Sequence, residues 1–429
     1  MWKEKPSFEM LAQNFKNNSS FSNELKKYYL ESYSYKEKYK SLEQIFLNKP
    51  LNFNDPQKAK NFFGKNIKLS ASQIEKYYTC RFGYFCEYAL KAKPQKKAKF
   101  GAIEYGNIIH FALEKLFKKY PQHKIVSTPI DEIKTEIESI TKNYVEKNLG
   151  GFSNKPQRFI HGIKKLNSSL VFLTEYLIKE FEQSSFTLSD LELEISEKGQ
   201  IPPLKIKTPN GSVITIEGKI DRVDTMKSEK GTFVRIIDYK TGIKEFKLSD
   251  LLYGLNMQML IYLTTITKNG IHKYGKIIPA GMLYFTALKP VVDALEKENK
   301  ESVIAKIFKK LCMNGLLLND AESITGMEKD GKGIFIPAEI KNGEIKKSQS
   351  AINLTEFKSI SDYSVNLIIE MATCLQKGEI SAKPIFKNYS ACDRCNYFPI
   401  CCYESDIFYK IPTNVLNKQA LEKIIEKDE

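Results

Sequence analysis

Apolar positions along the chain follow two periods. In GNIIHFALEKLFKK they recur at Ile108, Ile109, Ala112, Leu113, Leu116 and Phe117, the 3.6-residue spacing of an amphipathic helix. Similar spacing predicts helices over roughly 131–148 and 158–183. The period then shortens to two in LELEIS, VITIEGKIDRV and TFVRIIDYKT, whose β-branched residues predict strands. A helix over about 248–267, a strand over AGMLYFTA, and helices near 300–315 and 355–377 around a charged hairpin region come next. Upstream, Ser70 with Gln73 and Ser72 with Glu75 have the capping-box spacing that opens a helix over SQIEKYYTCRFGYFCEYAL. A Lys-rich linker (91–99) separates that helix from the next. Helices on both sides of a short mixed sheet predict an α/β fold. The expected organisation is a helical extension over 1–65, a main domain over 66–410 and a charged tail over 411–429. No internal repeat is visible.

Composition adds charge. The chain has 66 Lys+Arg against 51 Asp+Glu, a net +15, which suits a polyanionic partner because each neutralised phosphate releases a counterion. An AT-rich coding bias toward Lys would raise the charge as well. Residues 251–267 carry no charge, but Asn256, Gln258 and several Thr interrupt them, and they are too short for a membrane span. The first ten residues lack the apolar core of a signal peptide, so no membrane association and a cytoplasmic setting are expected. Disulfides are rare there, so the eight cysteines need another explanation.

The segment IEGKIDRVDTMKSEKGTFVRIIDYKTG reads as an antiparallel hairpin with its turn at Glu229–Lys230. That register sets Asp221 opposite Asp238, with Cβ atoms about 5 Å apart. Lys240 shares the face of Asp238, whereas Tyr239 and Asp224 project from the other. Two carboxylates and an ammonium on one face are costly unless a divalent cation sits between the carboxylates. Mg²⁺ takes oxygen ligands, keeps several waters and can activate one of them against a phosphodiester. The lysine would position that water or neutralise developing charge.

An acidic residue on one strand followed by Asp-x-Lys on the next resembles the PD-(D/E)xK nuclease superfamily, with its restriction-endonuclease-like core. Gly-Lys-Ile-Asp-Arg-Val-Asp and Asp-Tyr-Lys-Thr-Gly resemble its RecB-type branch. That branch has a Gln-x-x-x-Tyr helix, matched by Gln258 and Tyr262, and a metal-associated His on an upstream helix, matched by His110. The resemblance implies Asp221, Asp238, Lys240, Gln258 and Tyr262 as catalytic residues, and His110 with the two aspartates as Mg²⁺ ligands. Glu192 and Glu194 are both candidates for a further acid.

Near the C-terminus, Cys392-x2-Cys395-x5-Cys401 has metal-ligand spacing. It resembles the iron–sulfur staple of AddB-type helicase–nuclease subunits, in which one distant N-terminal cysteine joins a C-terminal trio around a [4Fe–4S] cluster. Cys80 matches the distant cysteine, and the resulting clasp would close a long loop around the core. Cys86 and Cys402 are spare, zinc is the alternative occupant, and Cys312 and Cys374 read as packing residues. Gly326-x4-Gly331-Lys332 imitates a phosphate-binding loop, but Gly333 replaces the required Ser/Thr, and the surroundings read as a hairpin turn entering the strand IFIPAEI.

The resemblance covers about residues 60–429. It implies a Mg²⁺-dependent DNA exonuclease in double-strand-break processing and recombinational repair, beside a helicase subunit of the AddA type, with DNA rather than a small molecule as substrate. The alternatives are a free-standing RecB-like exonuclease and a non-catalytic iron–sulfur scaffold that binds DNA.

Overall fold

A computed structural model describes the whole chain except residues 1–2, 16–18, 47–51, 54, 94–100, 243, 294–297, 342–343, 347–349, 388–389, 402, 404–408, 411–414 and 428–429. Helices over Glu4–Gln13, Ser20–Glu31 and Lys36–Phe46 gather around their own small core of Leu11, Tyr29 and Tyr39. A fourth, Pro56–Phe63, buries Ala59 and leads into the main core.

That core surrounds a six-stranded mixed sheet. Its strands are β1 (Thr187–Ile195), β2 (Gly218–Ser228), β3 (Gly231–Lys240), β4 (Ile277–Thr286), β5 (Asn314–Leu318) and β6 (Ala351–Ile352), arranged side by side in that order. β3 runs parallel to β4 and antiparallel to β2. The expected single strand VITIEGKIDRV is two. Val213–Ile216 belongs to a separate three-stranded sheet with Ile67–Leu69 and Leu204–Lys207. At the junction the Glu217 amide donates to the Leu69 carbonyl (3.1 Å), while Gly218 already pairs with Ile195 of β1.

Six helices frame the sheet and the site it carries: α1 (Ala71–Thr79), α2 (Ala102–Lys119), α3 (Gln157–Gln183), α4 (Gln258–Asn269), α5 (Leu354–Gln376) and α6 (Asn417–Glu426). The expected capping box forms at Ser70 and Gln73, but the helix stops at Cys80, whose backbone is extended. A short helix over Arg81–Tyr84 and one wide turn over Phe85–Ala89 come after it. α3 packs on one face of the sheet, with Tyr176 stacked on Phe285 of β4 at 5.8 Å between ring centres. α4 packs on the other face, against β3 and β4.

Three further expectations need correction. The helix predicted over 248–267 is a short helix over Leu248–Leu251 and then α4, because Gly254 (φ 71°) and Asn256 (φ 57°) adopt left-handed backbone between them. The Asn256 side chain donates to Asp250 at 2.7 Å and holds the break. Second, IFIPAEI is not a strand over most of its length. The amides of Ile334 and Phe335 donate to the buried Glu328 carboxylate at 2.9 and 3.0 Å, so they are not available to a neighbouring strand. Third, the segment expected as a charged tail contains α6, which buries Ala420, Leu421 and Ile424 against α5. Among the described residues no helix is long and apolar enough to cross a membrane.

Candidate metal and nucleic-acid site

The hairpin register matches the expected one: Arg222 pairs with Ile237 and Val223 with Ile236 across a turn at Glu229–Lys230. One step on, Asp221 reaches across and its Oδ2 accepts the Tyr239 amide at 2.9 Å. Asp238 in turn pairs with Tyr284 of β4. On the other side, Leu191 pairs with Arg222 and Leu193 with Ile220, so Glu192 faces Asp221. A row of Glu192, Asp221, Asp238 and Tyr284 therefore crosses four adjacent strands.

Helix α2 delivers His110 to one end of this row. Its Nδ1 lies 3.3 Å from Asp221 Oδ1 and 3.9 Å from Glu192 Oε1. Ligand atoms of His110, Glu192 and Asp221 all lie within 4.8 Å of one another, the single such trio among the described residues. Burial disfavours the imidazolium, yet Asp221, Glu192 and Asp238 together raise the His110 pKa. Asp238 is 4% exposed; burial, and then the charge of Asp221, push its carboxyl up to about 6, against the pull of Lys240. These are signs of excess negative charge in one small volume.

Helix α4 begins at Gln258, and its side chain bridges the strand pair. Nε2 donates to Asp238 Oδ1 at 3.2 Å, and Lys240 Nζ donates to Oε1 at 3.5 Å. Lys240 also ion-pairs with Asp238. One helical turn on, Tyr262 is buried beneath Gly218: a Cβ at 218 would lie 2.5 Å from its hydroxyl oxygen. Gly218 thus makes room for Tyr262. The structure brings His110, Asp221, Asp238, Lys240 and Gln258 into one constellation, with Tyr262 packed under its edge.

The structure also separates the two glutamates. Glu192 faces the site and pairs with Lys219 at 2.5 Å, whereas Glu194 is exposed and accepts from Ser196 at 2.7 Å. Residues i and i+2 share a strand face, so alternation could not choose between them. Glu192 also has left-handed backbone (φ 53°), an unusual conformation for glutamate that turns its side chain out of the simple strand pattern.

On the opposite sheet face, Asp224 accepts from Arg222 Nε at 2.7 Å and from Arg235 Nε at 2.9 Å, while Glu180 of α3 pairs with both guanidiniums. All four side chains are fully buried. Asp224 thus stands apart from the metal-site candidates, as expected.

The cysteines gather elsewhere. Cys80, Cys395 and Cys401 pack with Phe82, Cys86 and Tyr397 in a core separate from the main one. Burial raises the pKa of Cys80, Cys86 and Cys392 and pushes Cys401 up to about 12, and the neighbouring cysteines add to each shift. Cys374 packs against the main core instead, and Cys312 lies against the carbonyls of Met313 and Gly333. Cys402 lies outside the described residues.

Comparison with known proteins gives a consistent family. The sequence model of the PD-(D/E)XK nuclease superfamily matches residues 68–402. The second (B-type) subunit of the ATP-dependent helicase/deoxyribonuclease of Clostridium kluyveri (strain NBRC 12016) is 31% identical over 421 residues, 94% of this chain and 36% of the relative. The protein of the same name from Clostridium tetani (strain Massachusetts / E88) is 32% identical over 402 residues, 90% of this chain and 35% of the relative. The one from Clostridioides difficile (strain 630) is 32% identical over 372 residues, covering 84% of this chain and 32% of the relative. The chain thus spans about a third of the length of the curated relatives it matches.

Proposed function

Because this chain belongs to the PD-(D/E)XK nuclease superfamily, we propose that it hydrolyses DNA phosphodiester bonds with Mg²⁺ held by His110, Glu192, Asp221 and Asp238. The observation that carries this reading is the convergence of His110, Glu192 and Asp221 beside a buried Asp238 whose ionisation is disfavoured. Such a set suits a divalent cation, which relieves the repulsion and takes carboxylate oxygens with one imidazole. When bound, the cation supplies Lewis acidity toward the phosphodiester and toward an attacking water.

The protein's own groups do the rest. Lys240, next to Asp238, orients the attacking water or offsets charge developing on the phosphate. Gln258 hydrogen-bonds both the Asp238 carboxylate and the Lys240 ammonium and so fixes them relative to each other. Tyr262 packs under the start of β2 at Gly218. The relatives are named as subunits of an ATP-dependent helicase/deoxyribonuclease. The proposed role is therefore exonucleolytic processing of double-strand breaks for recombinational repair, beside a helicase subunit of the AddA type.

Cys80, Cys392, Cys395 and Cys401 fit a [4Fe–4S] clasp. Cys80, Cys395 and Cys401 share one small core, and the charges of Cys80 and Cys395 reach Cys392, which supports a common metal or cluster for the four. Four irons and four acid-labile sulfides per chain after anaerobic purification would support the clasp; stoichiometric zinc would replace it.

The direct test of the nuclease reading is incubation of purified protein with end-labelled linear DNA and Mg²⁺, with and without a helicase subunit. Mg²⁺-dependent shortening from the ends is expected. Intact DNA under both conditions would overturn the reading.

A further inference from the structure

The row across the sheet extends beyond the residues assigned to the cation. Tyr284 lies one strand past Asp238, about 4.8 Å further from His110 and Glu192. It is 3% exposed, and its hydroxyl has no hydrogen-bond partner among the described residues. Two ammoniums share that ring: Lys240 Nζ is 5.8 Å from its centre and Lys244 Nζ 4.8 Å.

The two lysines differ in their partners. Lys240 is committed to Asp238 and Gln258. Lys244, on the loop after β3, is half-buried and has no ion pair among the described residues. Burial, joined by the charge of Lys240, pulls its pKa below the ordinary lysine value. Glu75 of α1, Asp238 and Asp250 face it at longer range. With Asp238 given to a metal ion, two ammoniums would face Glu75 and an Asp250 that is already paired with Lys387, leaving positive charge beside the row. A half-buried cation without an ion pair is costly in a folded protein and is satisfied by an anion. In a DNA-cleaving site the anion at hand is the next backbone phosphate.

We propose that Lys244, poised on the Tyr284 ring, binds the DNA phosphate adjacent to the scissile one, on the side away from His110 and Glu192. It is a substrate-positioning residue, and the assignment rests on the nuclease reading. Aromatic support keeps the ammonium partly desolvated and aimed before DNA arrives.

The test uses duplexes in which a single methylphosphonate removes the charge of one phosphate at a time. Binding is read with Ca²⁺ in place of Mg²⁺, and KM and kcat are read with Mg²⁺. For the wild-type protein, one neighbouring position should weaken binding about ten- to hundredfold. KM should rise with it, and kcat should change less than about twofold. Lys244→Ala should bind natural and modified DNA alike at the weaker level, and Lys244→Arg should recover most of the difference. If Lys244→Ala still loses affinity on that methylphosphonate as the wild type does, or binds natural DNA as well as the wild type, the assignment is wrong. Binding in Ca²⁺ reports on this contact even if no cleavage occurs, whereas absent cleavage in Mg²⁺ would sink the nuclease reading instead.

Discussion

The two faces of one hairpin carry acidic residues three positions apart with opposite fates. On one face Asp224 is fully buried and saturated by Arg222 and Arg235, with Glu180 completing a quartet of no net charge. On the other, Asp221 and Asp238 crowd Glu192 and His110, and Lys240 and Gln258 are the groups that answer Asp238. Burial alone would raise the Asp224 pKa, but the two guanidiniums hold it below the usual carboxylate value. Burial raises Asp238 and no guanidinium opposes it. The difference separates a carboxylate that holds the fold together from carboxylates that, in the proposed site, would receive a cation.

The largest contrast between the faces should be in rate. Asp238→Ala should lower Mg²⁺-dependent cleavage at least a thousandfold, and Lys240→Ala by about a hundredfold or more, with both proteins folded as judged by circular dichroism. Asp224→Ala should do the reverse. It strands two buried guanidiniums and should cost about 3–5 kcal/mol of stability in denaturant titration. Any fall in its cleavage rate should follow the folded fraction. A stable but inactive Asp224→Ala would break the division of labour.

Next comes pH. Asp238 and His110 both have folded pKa values above their unfolded ones in the metal-free protein. Their contribution to stability is therefore greatest below the unfolded values and is lost as pH rises through the folded ones, through about 6 for Asp238. Asp224 has the opposite sign: its contribution is present above about pH 4 and disappears only as pH falls through its depressed value. Without metal, Asp238→Asn should stabilise the protein at pH 7 by roughly 1–3 kcal/mol, read as a rise in Tm. Saturating Mg²⁺ should remove that advantage. A gain that is the same with and without Mg²⁺ would mean that no cation relieves Asp238.

The smallest effect concerns Gly218. A methyl group there must displace Tyr262 and, with it, the N-terminal turn of α4 that carries Gln258. Gly218→Ala should lower kcat severalfold while costing only about 1–2 kcal/mol of stability. Wild-type kcat in this variant would show that the packing under the start of β2 does not set the Gln258 position.

Much of this site was legible in the sequence for identifiable reasons. Strict alternation on both sides of KSEKG left one plausible register, and the Arg222–Ile237 pair lies in it. The i, i+4 spacing of Gln258 and Tyr262 survived because a helix does begin at Gln258. The break before that helix was hidden, since an uncharged apolar run conceals the left-handed Gly254 and Asn256. Choosing Glu192 over Glu194 required the register between β1 and β2, which contains an irregularity between Leu188 and Asp190 that no pattern reveals. The irregular IFIPAEI segment likewise depends on one buried carboxylate, Glu328, several residues before it. Lys244 was not legible at all, because one lysine in a lysine-rich chain carries no signal until its ring and its missing carboxylate are seen.

The central claim is a cation site at His110, Glu192, Asp221 and Asp238, and Mn²⁺ binding followed by electron paramagnetic resonance tests it most directly. The wild-type protein and Glu194→Gln should bind Mn²⁺ alike, in competition with Mg²⁺. Glu192→Gln and Asp221→Asn should each weaken that binding at least tenfold. Equal Mn²⁺ binding by all four proteins would contradict the site.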